Sequence, residues 1–251
     1  DGFSDVIVGS EGFSSSTGRA YIFYGGAVMN NSADVTMNGD SAQNYFGGSV
    51  SSAGDVNGDG YSDVIVGAHG YRANTGKAYV YFGGEIMNST SDVIFTGESA
   101  DDNFGWSVST AGDVNGDGFS DVIAGAHRAA SGSGRAYIFY GGLVMNIYPD
   151  VVLTGELPLT YTYGISVSNA GDINRDGYSD VIVGASNYNT NTGQAFIYYG
   201  GSFMNNVPDI TMTGEGINTS FGNSISSAGD LNGDGNPDLI IGARQTNSLA
   251  G

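Results

Sequence analysis

Short apolar runs alternate along the whole chain with turns rich in Gly, Asn, Ser and Asp. Residues 46–96 show the pattern in full. FGGSVSSAG (46–54) alternates small and apolar positions, and YSDVIVGA (61–68) is a β-branched run that closes on Gly-Ala. GKAYVYFGG (76–84) alternates strongly and carries aromatics, and SDVIFTGE (91–98) is a fourth short run. Bounded by turn residues, these read as four strands, A to D. No segment keeps the 3.6-residue period of an amphipathic helix.

The pattern repeats. An acidic string between strands A and B starts at Asp55, Asp113, Asp172 and Asp230, at spacings of 58, 59 and 58 residues. An aromatic-Gly pair keeps the same beat at Phe46, Phe104, Tyr163 and Phe221. So do an aromatic-Gly-Gly at Tyr24, Phe82, Tyr140 and Tyr199, and a methionine at Met29, Met87, Met145 and Met204. A Gly-basic-Ala turn recurs at Arg19, Lys77 and Arg135, with Gln194 in the next copy. Four strands per repeat predict one four-stranded antiparallel sheet whose two faces both need cover, so the sheets must stack. Solenoid coils have shorter periods, which favours an all-β propeller of four-stranded blades. The repeats run 1–45 (partial), 46–103, 104–162, 163–220 and 221–251 (partial), within one domain or fragment spanning 1–251. The expected 17 strands fall short of the 20 in a five-blade ring. Two readings stay open: a segment of a six- or seven-bladed ring, or closure by the last strand A against the incomplete first blade.

Composition narrows the class. Glycine is very frequent, at 43 of 251 residues, and cysteine is absent, so no disulfide staples the fold. Twenty-six acids against 7 bases leave a net charge of −19. That surface argues against nucleic acid and anionic membranes and favours a metal cation. No run of about 18 apolar residues exists to span a bilayer. The chain opens on Asp1-Gly2-Phe3, read as a mature form or a fragment.

The acidic string has its own logic. In DVNGDGYSD, side-chain oxygens fall at positions 1, 3, 5 and 9: Asp55, Asn57, Asp59 and Asp63. Every second side chain of a tightly curled loop can point inward, Gly60 supplies the turn, and Tyr61 at position 7 offers its carbonyl. An oxygen-only shell of this kind suits Ca²⁺ better than Mg²⁺. The first half resembles an EF-hand loop. The second half does not, because position 12 is Val66, Ala124, Val183 and Ile241 where a bidentate Glu would stand.

These marks resemble the FG-GAP repeat family, the propeller repeats of integrin α subunits and of many bacterial surface proteins. The first half of the name matches Phe46-Gly47, Phe104-Gly105 and Phe221-Gly222; the second matches Gly67-Ala68, Gly125-Ala126, Gly184-Ala185 and Gly242-Ala243. The usual Pro is replaced by His69, His127, Ser186 and Arg244. The resemblance covers essentially the whole chain and implies one Ca²⁺ per complete loop, four in all. Carried over by position, the further ligand sets are Asp113, Asn115, Asp117, the Phe119 carbonyl and Asp121, then Asp172, Asn174, Asp176, the Tyr178 carbonyl and Asp180. The last is Asp230, Asn232, Asp234, the Asn236 carbonyl and Asp238. Arg175 at position 4 and Pro237 at position 8 depart from the pattern, and Asp1 with Asp5 forms only a half-site. Four Ca²⁺ would move the net charge from −19 to −11.

The expected function is a non-catalytic, Ca²⁺-binding extracellular or cell-surface module, structural or adhesive, with a protein or glycan partner on the face opposite the acidic loops. A catalytic centre would break the repeat symmetry, and no copy departs in that way. The alternatives are a lectin-like propeller, for which Trp106 is a candidate stacking aromatic, an inert appendage of a secreted enzyme, and a filament subunit in which chains complete each other's blades. His69 and His127 read as loop positions, Trp106 otherwise as filler near strand A, and the recurrent Met as filling the gap between blades.

Overall fold

The computed structural model describes residues 2–28, 30–155 and 162–244. Its strands form five antiparallel sheets in chain order. The first is β1 (Val6–Ser10), β2 (Arg19–Phe23) and β3 (Val35–Asn38); the second is β4 (Phe46–Gly54), β5 (Asp63–Ala68), β6 (Lys77–Tyr81) and β7 (Val93–Thr96). The third is β8 (Ser107–Gly112), β9 (Asp121–Ala126), β10 (Arg135–Phe139) and β11 (Val151–Thr154). The fourth is β12 (Tyr163–Gly171), β13 (Asp180–Ala185), β14 (Gln194–Tyr198) and β15 (Ile210–Thr213), and the fifth is the pair β16 (Phe221–Gly229) and β17 (Asp238–Ala243). These are the blades of a β-propeller, numbered one to five below.

Blade stacking builds the core. Each of the four apolar clusters draws on two neighbouring blades: Ala20, Ile22 and Met37 of blade one pack with Phe46, Val66 and Tyr79 of blade two, and the scheme continues along the chain. The strand A aromatics meet strand C aromatics of their own blade edge-on, as in Phe46–Tyr79 at 5.3 Å and Phe104–Tyr137 at 5.5 Å. Met87, Met145 and Met204 join these two-blade clusters, as gap fillers would, while Met29 lies outside the described residues. Close approach explains the strand B glycine. A Cβ on Gly67, Gly125 or Gly184 would lie 2.0 Å from the main-chain oxygen of Gly105, Gly164 or Gly222 in the next blade.

Two details differ from the sequence expectation. Strand B begins two residues later, at Asp63; in the next blade it begins at Asp121, and Ser120 just before it gives its amide to the neighbouring blade, to Asp55 O at 2.9 Å. Strand C ends early, at Tyr81, because Phe82 N donates to Asp92 Oδ2 at 2.8 Å and Gly83 N to Asp63 Oδ1 at 2.7 Å. Arg19, Lys77 and Arg135 open strand C, within the run expected for it. Lys77 pairs with Asp40 and Arg135 with Glu98, whereas Arg19 donates to the amide oxygen of Asn38. The four B–C connections contain single helical turns, such as Tyr71–Asn74, with left-handed residues inside, such as Arg72 and Ala73.

Candidate metal centre

Each acidic loop is a cage of carboxylate–amide bonds. Asp55 Oδ1 accepts from Gly58 N at 2.7 Å and Asp59 N at 3.1 Å, and its Oδ2 accepts from Gly60 N at 2.9 Å. Asn57 Oδ1 accepts from Asp59 N, Asn57 Nδ2 donates to Asp59 Oδ2, and Asp59 Oδ1 accepts from Tyr61 N, all at 2.9 Å. The loops at Asp113 and Asp230 repeat these bonds to within about 0.1 Å, and the loop at Asp172 repeats all but the one from position 4. Side chains therefore set the backbone, which is why sequences 58 residues apart curl identically.

Position 9 behaves differently. Asp63, Asp121 and Asp180 have no exposed surface. Asp121 Oδ2 accepts from Val114 N and Oδ1 from Gly141 N, both at 2.8 Å, tying the start of the loop to the end of strand C. Asp63 holds Val56 and Gly83 in the same way, and Asp180 holds Ile173 and Gly200. In the half-site, Asp5 Oδ1 accepts from Gly25 N at 2.8 Å, while Asp1 lies outside the described residues. The sequence reading missed this second role. Its signal was the aromatic-Gly-Gly repeat, which keeps step with the aspartate and whose first glycine supplies the amide.

Burial dominates the electrostatics. It pushes Asp63 up to about 6 and Asp121 up to about 7, with Asp180 also raised, against the lowering effect of the amide bonds. Asp234 is held below the ordinary carboxylate range, first by the Asn236 amide, then by Asn232, with the charge of Arg175 adding to them. Among the described residues, no three Asp, Glu or His side chains converge closely enough to hold an ion between them. The donor set nevertheless fits a hard cation. Each loop offers Asp, Asn and Asp oxygens, in the first three beside a buried carboxylate whose charge is disfavoured by desolvation, and oxygens that accept a single amide, such as Asp55 Oδ2, Asn57 Oδ1 and Asp59 Oδ1, keep a second lone pair.

The repeat model described as "FG-GAP repeat" matches residues 46–81, 104–139, 163–198 and 221–249. The chain belongs to the FG-GAP repeat family. Each matched segment starts at the aromatic of the aromatic-Gly pair, which opens strand A in blades two, four and five and stands three residues before it in blade three. Relatives with FG-GAP-type similarity include integrin alpha-5 of Xenopus laevis, 31% identical over 207 residues, covering 76% of this chain and 19% of the relative. Integrin alpha-6 of Homo sapiens is 33% identical over 219 residues, covering 84% and 18%. Integrin alpha-IIb of Mus musculus is 35% identical over 161 residues, covering 59% and 16%. The chain thus spans about a fifth of the length of the curated relatives it matches.

At the opposite end of the FG-GAP blades the structure assembles residues the sequence had set apart. Tyr45 stacks on His69 at 4.9 Å, His69 meets Trp106 at 4.7 Å, and Trp106 meets His127 at 4.5 Å. Trp106 therefore fills the junction between two B–C loops, as one member of a four-ring row. Burial lowers both histidines, His127 to about 4. Among the described residues, no helix is long and apolar enough to cross a membrane.

Proposed function

We propose that this chain is a non-catalytic, adhesion-type propeller module, stationed outside the cell or on its surface, whose acidic loops each hold one Ca²⁺. The observation that carries the reading is the fourfold recurrence of one nine-residue oxygen cage. In each copy the side chains at positions 1, 3, 5 and 9 and the position 7 carbonyl would hold the ion; for the third copy these are Asp172, Asn174, Asp176, Asp180 and Tyr178. When bound, the ion supplies positive charge that offsets carboxylate repulsion and the desolvation of the position 9 aspartate. The chain's own part is to preform the loop through its amide–carboxylate bonds and to fasten it to strand C.

Chelation is the direct test. Ion binding to the folded state adds to its stability by mass action. The melting temperature is expected to fall in EDTA and to recover on adding Ca²⁺ in excess, with calorimetry approaching four ions per chain. A melting curve indifferent to EDTA would sink the calcium reading. The partner contacts are assigned to the loops opposite the acidic ones, and a glycan array set beside a protein-binding screen separates a lectin-like partner from a protein partner.

Acidity provides a second test with opposite signs in the two metal states. Asp63 and Asp121 carry folded values of about 6 and 7, above the ordinary 3.8 of the unfolded chain. Their stabilising contribution is therefore fully present below about pH 4 and is lost as pH rises through 6 to 7. The metal-free protein is expected to melt higher at pH 5.5 than at pH 7.5. In saturating Ca²⁺ the trend reverses, because protons compete with the cation for the same carboxylates. Melting temperatures measured across pH 5–8 in EDTA and in Ca²⁺ check both signs.

A further inference from the structure

Neighbouring blades are joined at the acidic end by a repeated latch. Ser120 N donates to Asp55 O at 2.9 Å and Gly142 N to Val56 O at 2.8 Å, so blade three grips the loop of blade two. Ser179 N and Gly201 N grip Asp113 O and Val114 O at the same distances. An aromatic at position 7 completes the latch by covering the position 4 glycine of the preceding loop. A Cβ on Gly58 would lie 2.5 Å from Phe119, and one on Gly116 would lie 2.5 Å from Tyr178.

The junction between the third and fourth loops replaces the latching serine, the covering aromatic and the covered glycine together. The latching serine is replaced by Pro237, which has no N–H, so Asp172 O lacks the donor that Asp55 O and Asp113 O have. The covering aromatic is replaced by Asn236, and the covered glycine by Arg175. Arg175 keeps the left-handed conformation of the glycine, with φ of 60° against 76° and 77° at Gly58 and Gly116, a region that disfavours side chains. Its Nη2 donates to Asp234 O in the next loop at 2.8 Å. Hence the junction keeps a bond between blades, but the donor now sits on the earlier loop and carries a charge.

The geometry points to Arg175 as a resident cationic latch that replaces the hydrogen bond lost at Pro237 and makes the fourth acidic loop the weakest of the four for an added divalent cation. The latch stands on the geometry alone; the ranking of the loops rests on the calcium reading above. Two effects combine. The guanidinium orders the loop at Asp230–Asp238 without metal, and its fixed charge opposes a second cation nearby.

Hydrogen exchange of the metal-free protein tests the latch without calcium. R175G leaves neither form of latch and is expected to speed exchange in residues 221–243 about fivefold, with blade three unchanged. R175G/N236Y/P237S rebuilds the neutral latch of the other junctions and is expected to return exchange to the wild-type rate. In calorimetric Ca²⁺ titration the triple variant is expected to bind its weakest ion about fivefold tighter than wild type. Should it fail to fold, R175Q, neutral but still able to donate, carries the same affinity comparison. Unchanged exchange in R175G overturns the latch, and an unchanged weakest site in the neutral variants overturns the ranking. A wild type that binds no Ca²⁺ at any loop refutes the calcium reading and the ranking with it, and the exchange result still decides the latch.

Discussion

Gly125→Ala is expected to destabilise the protein by about 3 kcal/mol, near the upper end for overpacking a tight interior. The added methyl would lie 2.0 Å from Gly164 O and 2.5 Å from Ser107 Oγ. That hydroxyl donates to the same Gly164 oxygen at 3.0 Å, so the substitution also disturbs a bond between blades. The obstacle is backbone rather than a flexible side chain, so relief requires blades three and four to move apart. Separation would open the cluster built from Ile123, Ile138, Val167 and Val183. For a chain of this size, the cost corresponds to a melting temperature lower by about 6–12 °C. Gly12→Ala is the control, since a Cβ there meets nothing within 4 Å. Equal melting temperatures for the two variants would show that the blades are not in contact at Gly125.

Asp121→Ala is expected to cost more than any other single alanine substitution in the acidic loops, about 2–5 kcal/mol, and to do so in EDTA as well as in Ca²⁺. The substitution removes both acceptors at once and leaves Val114 N, buried, and Gly141 N, half-buried, without these partners. Each orphaned amide costs about 1–3 kcal/mol. Asp121→Asn is expected to recover only part of the loss, because its oxygen can accept one amide while its NH₂ is forced against the other. Asp117 is exposed, and its bonds lie within its own loop, so Asp117→Ala should matter mainly when Ca²⁺ is present. Urea denaturation of the three variants with and without Ca²⁺ separates the roles. If Asp121→Ala is harmless in EDTA, the carboxylate serves only as an ion ligand and the clamp is wrong.

These two substitutions also mark where the sequence was legible. The strand B glycine was visible as half of a recurring Gly-Ala, yet nothing in the string said that a carbonyl 39 residues away would lie against it at Gly164. Asp121 stood out as position 9 of a cation loop. Its pull on Gly141 was hidden, because the donor is a main-chain amide and any residue but proline would present one. Trp106 was noted as an odd residue, but its place between His69 and His127 depends on two loops brought side by side by adjacent blades.

By itself the sequence determined the period, the four strands of each blade, the propeller class and the curl of the acidic loops. All of these depend on residues close in the chain, through alternation, turn chemistry and side chains that bond their own backbone. Only the tertiary structure decided which loop touches which blade, that Asp63, Asp121 and Asp180 at position 9 are buried, and that Arg175 crosses to Asp234, 59 residues on. Such contacts join successive repeats. A periodic sequence shows that repeats exist, and the packing of one blade on the next decides which atoms meet.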